Sequence, residues 1–369
     1  MKKISRKNIE QIILISDIHL GIRNASEEWI ENITDYFDNF FIPKLIEYSK
    51  QKNTAIIIAG DFFDNRKNLD ISIMNVGMSI LEKLSSIVEI FMIIGNHDIY
   101  KKKDTGINSL AVFKYFKNVN IIDELSILEV KNSKKFLLVS WVGDPAEETN
   151  ILLKHKKDSD FAILHSDIAG FKYDNGRPIV KGVNSTIYDS GKIYSGHIHK
   201  HEESGNVTYI GCPYQLKRSD LGNDKGFYVL TFNDDNSITE SFIKNTYSPQ
   251  FIKLQFESIL DLTISDIKKY TRNNYVDIII PSKYKNAVNL SKFMEVMEFC
   301  NARKIIFLID KNDSGLNSLN IEHRQDVTIE EVFKSYVDTM ELTDDCKKKL
   351  KELNEEYLTQ AAENYLYED

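Results

Sequence analysis

The sequence predicts an α/β chain with a later α+β portion, and three observations point there. The first two-thirds of its 369 residues alternate short apolar runs with longer segments whose apolar residues recur at helical spacing. Carboxylate, amide and imidazole side chains follow the ends of those runs, where ligands gather in α/β sheets. Gly60, Gly95 and Gly196 directly precede three of these side chains and permit sharp turns and close backbone approach.

In chain order, strands are predicted over 12–16, 54–59, 88–94, 135–142, 160–164, 192–195, 207–210 and 226–232. Helices are predicted over 30–48, over 71–84, where Ile71, Met74, Met78 and Leu81 share a face, and over 107–116. Past residue 246 the order strand, helix, strand, helix, strand (FIKLQF, 264–270, YVDIIIP, 290–299, KIIFLID) predicts a small separate α+β domain. A polar linker precedes a helix capped by Thr328 and Glu331, with Ile329, Val332, Phe333, Tyr336, Val337 and Met340 in one stripe. Thr343 opens a second helix striped by Leu350, Leu353, Tyr357 and Ala361. So short a pair must bury its stripes, against the chain's own body or against a partner. The expected division is 1–246, 247–312, a 313–325 linker and 326–369.

With 42% apolar and 28% charged residues, the composition is that of a globular protein. The first apolar run is short and broken by Asp17 and His19, so it is a strand and neither signal peptide nor membrane span. Cys212, Cys300 and Cys346 are odd in number and lack CxxC spacing; a reducing cytoplasm fits, without disulfides or a thiolate zinc site. The net charge of -8 resides in residues 326–369, with thirteen acidic and five basic groups, leaving forty-two of each elsewhere. The body therefore does not repel a polyanion, and Arg66, Lys67, Lys101, Lys102, Lys103, Lys200, Lys217 and Arg218 are candidate phosphate contacts or ordinary solvated cations.

The chemistry lies in five stretches: Asp17 and His19 in SDIH, Asp61 and Asp64 in GDFFD, Asn96, His97 and Asp98 in GNHD, His165 in LHSD, and His197 and His199 in GHIH. Taken singly, each is weak. Together they suggest one site for two divalent metals, with the Asp61 carboxylate bridging and imidazoles and an amide completing shells suited to manganese or iron. Paired metals ~3.5–4 Å apart clamp a phosphate ester and activate water. His97 would lie beside them to stabilise charge or protonate a leaving oxygen, with Asp64 or Asp98 setting its tautomer.

In these residues the chain resembles the calcineurin-like metallophosphoesterases, whose pattern is DxH, GDxxD, GNH[DE], H and GHxH. The resemblance spans roughly residues 12 to 232 and implies a four-layer sandwich. It implies one metal on Asp17, His19, Asp61 and His199, and the other on Asp61, Asn96, His165 and His197. GDFFDNRK departs from the phosphatase pattern GDxxDRG and, with IIGNHDIY, YSGHIHKH, YIGCPYQL and a later KGF, looks closer to SbcD-type recombination nucleases. That likeness implies Mn2+-dependent exonuclease action on duplex DNA and endonuclease action on single strands or hairpins. It further implies a DNA-admitting cap, a homodimer through 71–84 and 107–116, and 326–369 bound to an SMC-like (SbcC-like) coiled-coil ATPase. The expected place is the cytoplasm, on the nucleoid or in a phage-infected host. A phosphodiesterase of small esters or nucleotides and a catalytically silent DNA-bridging scaffold remain alternatives.

Overall fold

The computed structural model describes residues 1–101, 104–189, 191–260, 262–281, 300–310, 343 and 347–349. The chain divides into two compact units, Met1–Lys311 and Asn312–Asp369.

The run QIILI is buried at every position, with four apolar residues in a row after Gln11, because both faces of its strand are covered. Ile13 and Ile15 pack outward with Trp29, Tyr36, Phe37, Ile80 and Leu84, whereas Ile12 and Leu14 pack inward with Leu128, Phe136, Ile163 and Tyr194. Two sheets therefore lie face to face between outer helices, and the fold is the expected four-layer α/β sandwich. One sheet has six strands in the order Ile238–Lys244, Gly226–Phe232, Gln11–Ile15, Thr54–Ala59, Glu89–Ile93 and Val119–Ile122. Its last four strands are parallel, and Gly226–Phe232 returns antiparallel beside Gln11–Ile15 with Tyr228 opposite Leu14. The other sheet has seven strands in the order Lys2–Ser5, Ser126–Glu129, Lys135–Leu138, Phe161–His165, Lys192–Gly196, Val207–Tyr209 and Glu202–Ser204. Helices Glu27–Tyr36, Ile42–Gln51 and Ile71–Ile87 cover the first sheet. Pro145–His155, started by the Asp144 cap, covers the second through Leu152.

Two predicted helices differ from expectation. The segment predicted as 30–48 is broken by a π-turn at Phe37–Phe41 that leads into a helix with proline in its first turn. Pro43 has no N–H to donate back along a continuous helix, so the chain widens by a residue there. The segment predicted as a helix over 107–116 is a strand, Asp104–Asn108, followed by a 3-10 helix, Ser109–Tyr115. Leu110 and Phe113, three residues apart, both face the core, which suits the three-residue turn of a 3-10 helix.

Strands Phe251–Gln255, Tyr275–Pro281 and Lys304–Asp310 form a separate parallel sheet. Helix Ile264–Thr271, held at its start by reciprocal Thr263 and Asp266 bonds, packs on it around Phe256, Ile259, Ile267, Val276 and Ile278. Trp29 from the first unit's opening helices lies parallel to the Tyr275 ring at 6.0 Å, joining this sheet to the sandwich. Cys212 and Cys300 are free and buried. Among the described residues no helix is long and apolar enough to cross a membrane. The predicted helix at 290–299 and the stripes Ile329 to Met340 and Leu350, Leu353 and Tyr357 lie outside the described residues, as do Lys102, Lys103 and Cys346.

Candidate metal centre

Five strands end on one rim: Gln11–Ile15, Thr54–Ala59 and Glu89–Ile93 from the six-stranded sheet, and Phe161–His165 and Lys192–Gly196 from the seven-stranded sheet. The loops leaving them are strained. Asp17, His19, Asp61 and His197 hold φ of 53°, 50°, 51° and 85°, a left-handed backbone that costs an L-residue on the order of 1–2 kcal/mol. Hydrogen bonds across the rim hold it: Asp17 N–H donates to the Gly60 carbonyl, His19 N–H to the Asp61 carbonyl, and His197 N–H to the Asp17 carboxylate. A Cβ on Gly60 would strike the His165 ring, and one on Gly95 the Asp61 amide and carboxylate.

Two sets of ligand atoms result. In one, His19 Nε2 lies 3.0 Å from His199 Nε2, 3.6 Å from Asp61 Oδ2 and 3.9 Å from Asp17 Oδ1. In the other, Asn96 Oδ1 lies 3.0 Å from His165 Nε2 and 2.9 Å from His197 Nδ1, and His165 Nε2 lies 3.2 Å from Asp61 Oδ2. Asp61 faces both. Ligands ~2.1 Å from a shared ion and at right angles to each other lie roughly 3 Å apart, so these spacings and this donor set fit a pair of divalent ions. The outer nitrogens support the same orientation. His19 Nδ1 meets Asp64 Oδ1 at 3.0 Å, and His165 Nδ1 donates to the Ala59 carbonyl at 2.8 Å.

The electrostatics are those of a crowded, dry cluster. Asp17 and His165 are fully buried, and Asp61 and His19 nearly so. Burial opposes the charge on Asp61, yet the His165, His19 and His97 imidazoles outweigh it and hold this carboxyl well below the ordinary range. Burial equally opposes protonation of His165, but Asp61 and Asp17 carry that ring up to about 10. Burial lifts Asp17, against His165, and depresses His199, helped there by His19, Lys217 and Lys225. Burial opposes protonation of His19 as well, yet Asp64, Asp61 and Asp17 raise it, so the carboxylates of this cluster favour positive charge beside them, which divalent cations would supply.

Two assignments change. Asp98 does not reach the His97 ring: its buried carboxylate accepts from the backbone N–H groups of Phe62, Phe63 and Gly95, and burial and nearby Asp61 raise it to about 7. Asp64 does orient His97, but through its backbone carbonyl, 2.5 Å from His97 Nδ1, because its carboxylate is engaged by His19. His97 N–H in turn donates to Asp61 Oδ1. Of the cation candidates, Lys200 pairs with Glu202, Arg218 with Asp277, and Lys217 with Asp174 beside His199. Arg66 is partly exposed, Lys67 is exposed on its loop and Lys101 is exposed at the end of the Ile99–Lys101 strand.

Several site neighbours were not singled out from the sequence. Asp167 Oδ1 lies 3.2 Å from His197 Nε2, and Asp174 Oδ2 lies 3.5 Å from His199 Nδ1. The Trp141 ring lies 5.2 Å from that of His197. Lys225, buried, donates to the His199 carbonyl at 2.6 Å and pairs with buried Asp220 at 2.9 Å. Two signals were present: LHSD places Asp167 two residues beyond His165, and KGF places Lys225 at the mouth of a strand.

The family model for calcineurin-like phosphoesterases matches residues 11–201. Exonuclease subunit 1 of Enterobacteria phage T4 is 28% identical over 344 residues, 90% of this chain and 94% of that protein. A protein of Invertebrate iridescent virus 3 named as a phosphoesterase is 25% identical over 282 residues, 72% of this chain and 73% of that one. Among solved structures, a cold-active protein-tyrosine phosphatase of a psychrophilic Shewanella species covers 65% of this chain and 81% of its own. Its 12% identity and TM-score of 0.32 are too low to inform the site.

Proposed function

The chain belongs to the calcineurin-like phosphoesterase family, and from that premise we propose that it is the DNA-cleaving subunit of a nuclease and ATPase complex. The observation that carries this reading is the likeness, over nearly the whole of both chains, to a protein named an exonuclease subunit, which extends well past the family domain. Asp17, His19, Asp61 and His199 would hold one divalent ion, and Asp61, Asn96, His165 and His197 the other. Two Mn2+ ions would supply an activated water and neutralise the phosphodiester. His97 does the remaining work. Its Nδ1 is tied to the Asp64 carbonyl, which leaves Nε2 to meet a phosphate oxygen or the leaving oxygen, while its own amide steadies Asp61.

A DNA strand, rather than a small ester, is favoured by the seam between the sandwich and the parallel sheet. A cavity of about 150 Å³ there is lined by Arg23, Arg218 and Lys304, by Trp29, Phe251 and Tyr275, and by Ser26 and Glu28, the last engaged by the Tyr275 hydroxyl. Arg23 lies 5.0 Å from the Trp29 ring, and Arg218 lies 5.6 Å from the Phe251 ring. Cations beside aromatic faces suit phosphates and stacked bases. We further propose that residues 247–312 act as a DNA cap. In the same reading, 326–369 bind an SMC-like ATPase through Ile329, Val332, Phe333, Tyr336, Val337, Met340, Leu350, Leu353 and Tyr357. A homodimer would cover Ile71, Met78, Ile107, Val112 and Tyr115, which are exposed apolar residues.

The test is incubation of purified full-length protein and Mn2+ with end-labelled duplex, single-stranded and hairpin DNA, beside nitrophenyl phosphodiesters. Shortening of the duplex and nicking of single strands are expected. Hydrolysis of the nitrophenyl esters alone would overturn the DNA assignment, and hydrolysis of neither would overturn the active nuclease in favour of a scaffold.

A further inference from the structure

Four histidines face the proposed ions, but their outer nitrogens are held in two different ways. Those of His19 and His165 rest on Asp64 and Ala59, which belong to the ligand-bearing Thr54–Ala59 strand and its loop. Those of His197 and His199 face a separate segment, the loop that follows the Phe161–His165 strand. There Asp167 Oδ1 lies 3.2 Å from His197 Nε2, and Asp174 Oδ2 lies 3.5 Å from His199 Nδ1. Among the described residues His199 Nδ1 and Asp167 Oδ1 are buried with no hydrogen bond of their own, so each faces the other member of its pair across these distances alone.

The loop is built to hold those carboxylates still. Tyr173 OH donates to Asp167 Oδ2 at 3.0 Å, and Lys217 Nζ donates to Asp174 Oδ2 at 2.6 Å. At its root, Ile168 N–H donates to Tyr209 OH, which donates onward to the Ser166 carbonyl, and the Phe171 ring packs edge-on against Tyr209. Its middle closes into a turn in which Tyr173 and Arg177 are bonded through their backbones.

We infer that this loop is a strap whose Asp167 and Asp174 are positioning residues, fixing the rings of His197 and His199 for metal binding. His197 illustrates the constraint: Nδ1 meets Asn96 Oδ1 at 2.9 Å while Nε2 meets Asp167, and a ring flipped by half a turn would present carbon to both. A carboxylate on the outer nitrogen fixes the ring and its tautomer and strengthens the inner nitrogen as a ligand, worth about 10–100-fold in metal affinity. The inference rests on the metal-centre reading of the proposed function.

The test titrates Mn2+ alone into full-length protein and counts bound ions by electron paramagnetic resonance, with no substrate present. Wild type is expected to take up two equivalents. Asp167→Ala should weaken one of them by about 10–100-fold, and Asp174→Ala the other. Asp167→Asn, whose amide oxygen still accepts, should recover most of the loss. Melting temperatures of the metal-free variants should match wild type, and the nitrogen NMR shifts of His197 should lose their single-tautomer signature only in Asp167→Ala. Wild-type affinity for both ions in both alanine variants would overturn the strap. So would equal loss of both ions together with a lowered metal-free melting temperature, which marks a scaffold role. Should Asp167→Ala fail to fold, Tyr173→Phe carries the test: a fewfold loss at one ion supports the strap and no loss overturns it. Fewer than two equivalents in wild type would instead overturn the metal-centre reading itself.

Discussion

The two sheets make unequal contributions to the rim between them. The six-stranded sheet delivers every carboxylate and amide ligand of the proposed centre, Asp17, Asp61 and Asn96, with the ligand His19 and with Asp64 and His97 beside them. The ligands from the seven-stranded sheet are imidazoles only, His165, His197 and His199, with Asp167 and Asp174 behind two of them. Charge therefore comes from one sheet and neutral ligand geometry from the other. The buried negative charge that makes the centre attractive to divalent cations is carried by Asp17 and Asp61, side by side at adjacent parallel strand ends. A substitution on the first sheet should change whether cations stay, and one on the second should change how they are held.

The sharpest way to break that contrast is Asp61→Asn, which keeps the shape and removes the shared charge. Phosphodiester hydrolysis should fall on the order of 10⁴-fold, as it should on chelation of the metal, and bound Mn2+ should drop below two equivalents. Cleavage at the wild-type rate would sink the ligand assignment. Next in size is His97→Ala, on the same sheet but outside both ligand sets: kcat should fall about 10²–10⁴-fold while two ions still bind. A loss of metal with it would make His97 a ligand.

Smaller effects test the join between the sheets. Lys225 starts the Gly226–Phe232 strand of the first sheet and holds the carbonyl of His199 on the second. Lys225→Met strands buried Asp220, so the urea midpoint should fall by an equivalent of roughly 3–5 kcal/mol, partly restored by adding Asp220→Asn. An unchanged midpoint would show that the pair adds nothing.

The smallest effect lies behind the second sheet. Burial raises the Glu148 carboxyl to about 7, against the hydrogen bonds from Ser166 and the Val142 amide. The folded state therefore favours its protonated form. The stability this contributes is complete below the unfolded value of ~4.3 and is lost as pH rises through about 7. Glu148→Gln should match wild type at pH 4 and exceed it by about 1–3 kcal/mol at pH 8, read from thermal melts. Parallel curves at both pH values would place the group in solvent.

Much of this was legible in the sequence because burial leaves a period. Residues 12–15, 55–59 and 161–164 are unbroken apolar runs within QIILI, TAIIIA and FAILH, so both faces had to be covered, and the polar residues after them had to lie at strand ends. What was not legible depends on direction rather than type. Nothing in GNHD says that Asp98 turns back to bind three amides while His97 turns outward. The 107–116 segment has helical spacing, but Leu110 and Phe113 satisfy a three-residue turn equally well, and the bond from Ser109 N–H to the Asp98 carbonyl selects it. Asp167 and Asp174 sit in a polar loop without periodicity, where only the fold reveals which carboxylates meet a histidine.

The antiparallel return of Gly226–Phe232 beside Gln11–Ile15 also sets a clock. The strand that carries Asp17 and His19 finds one neighbour about forty residues later but the other only after residue 226. At ~5–20 residues per second, roughly 10–40 s of synthesis separate the first strand from the one that closes its far edge. His197 and His199 emerge only shortly before that strand. A growing chain therefore carries an incomplete hydrolytic centre through most of its time on the ribosome, and chemical competence arrives late, with the completed sandwich.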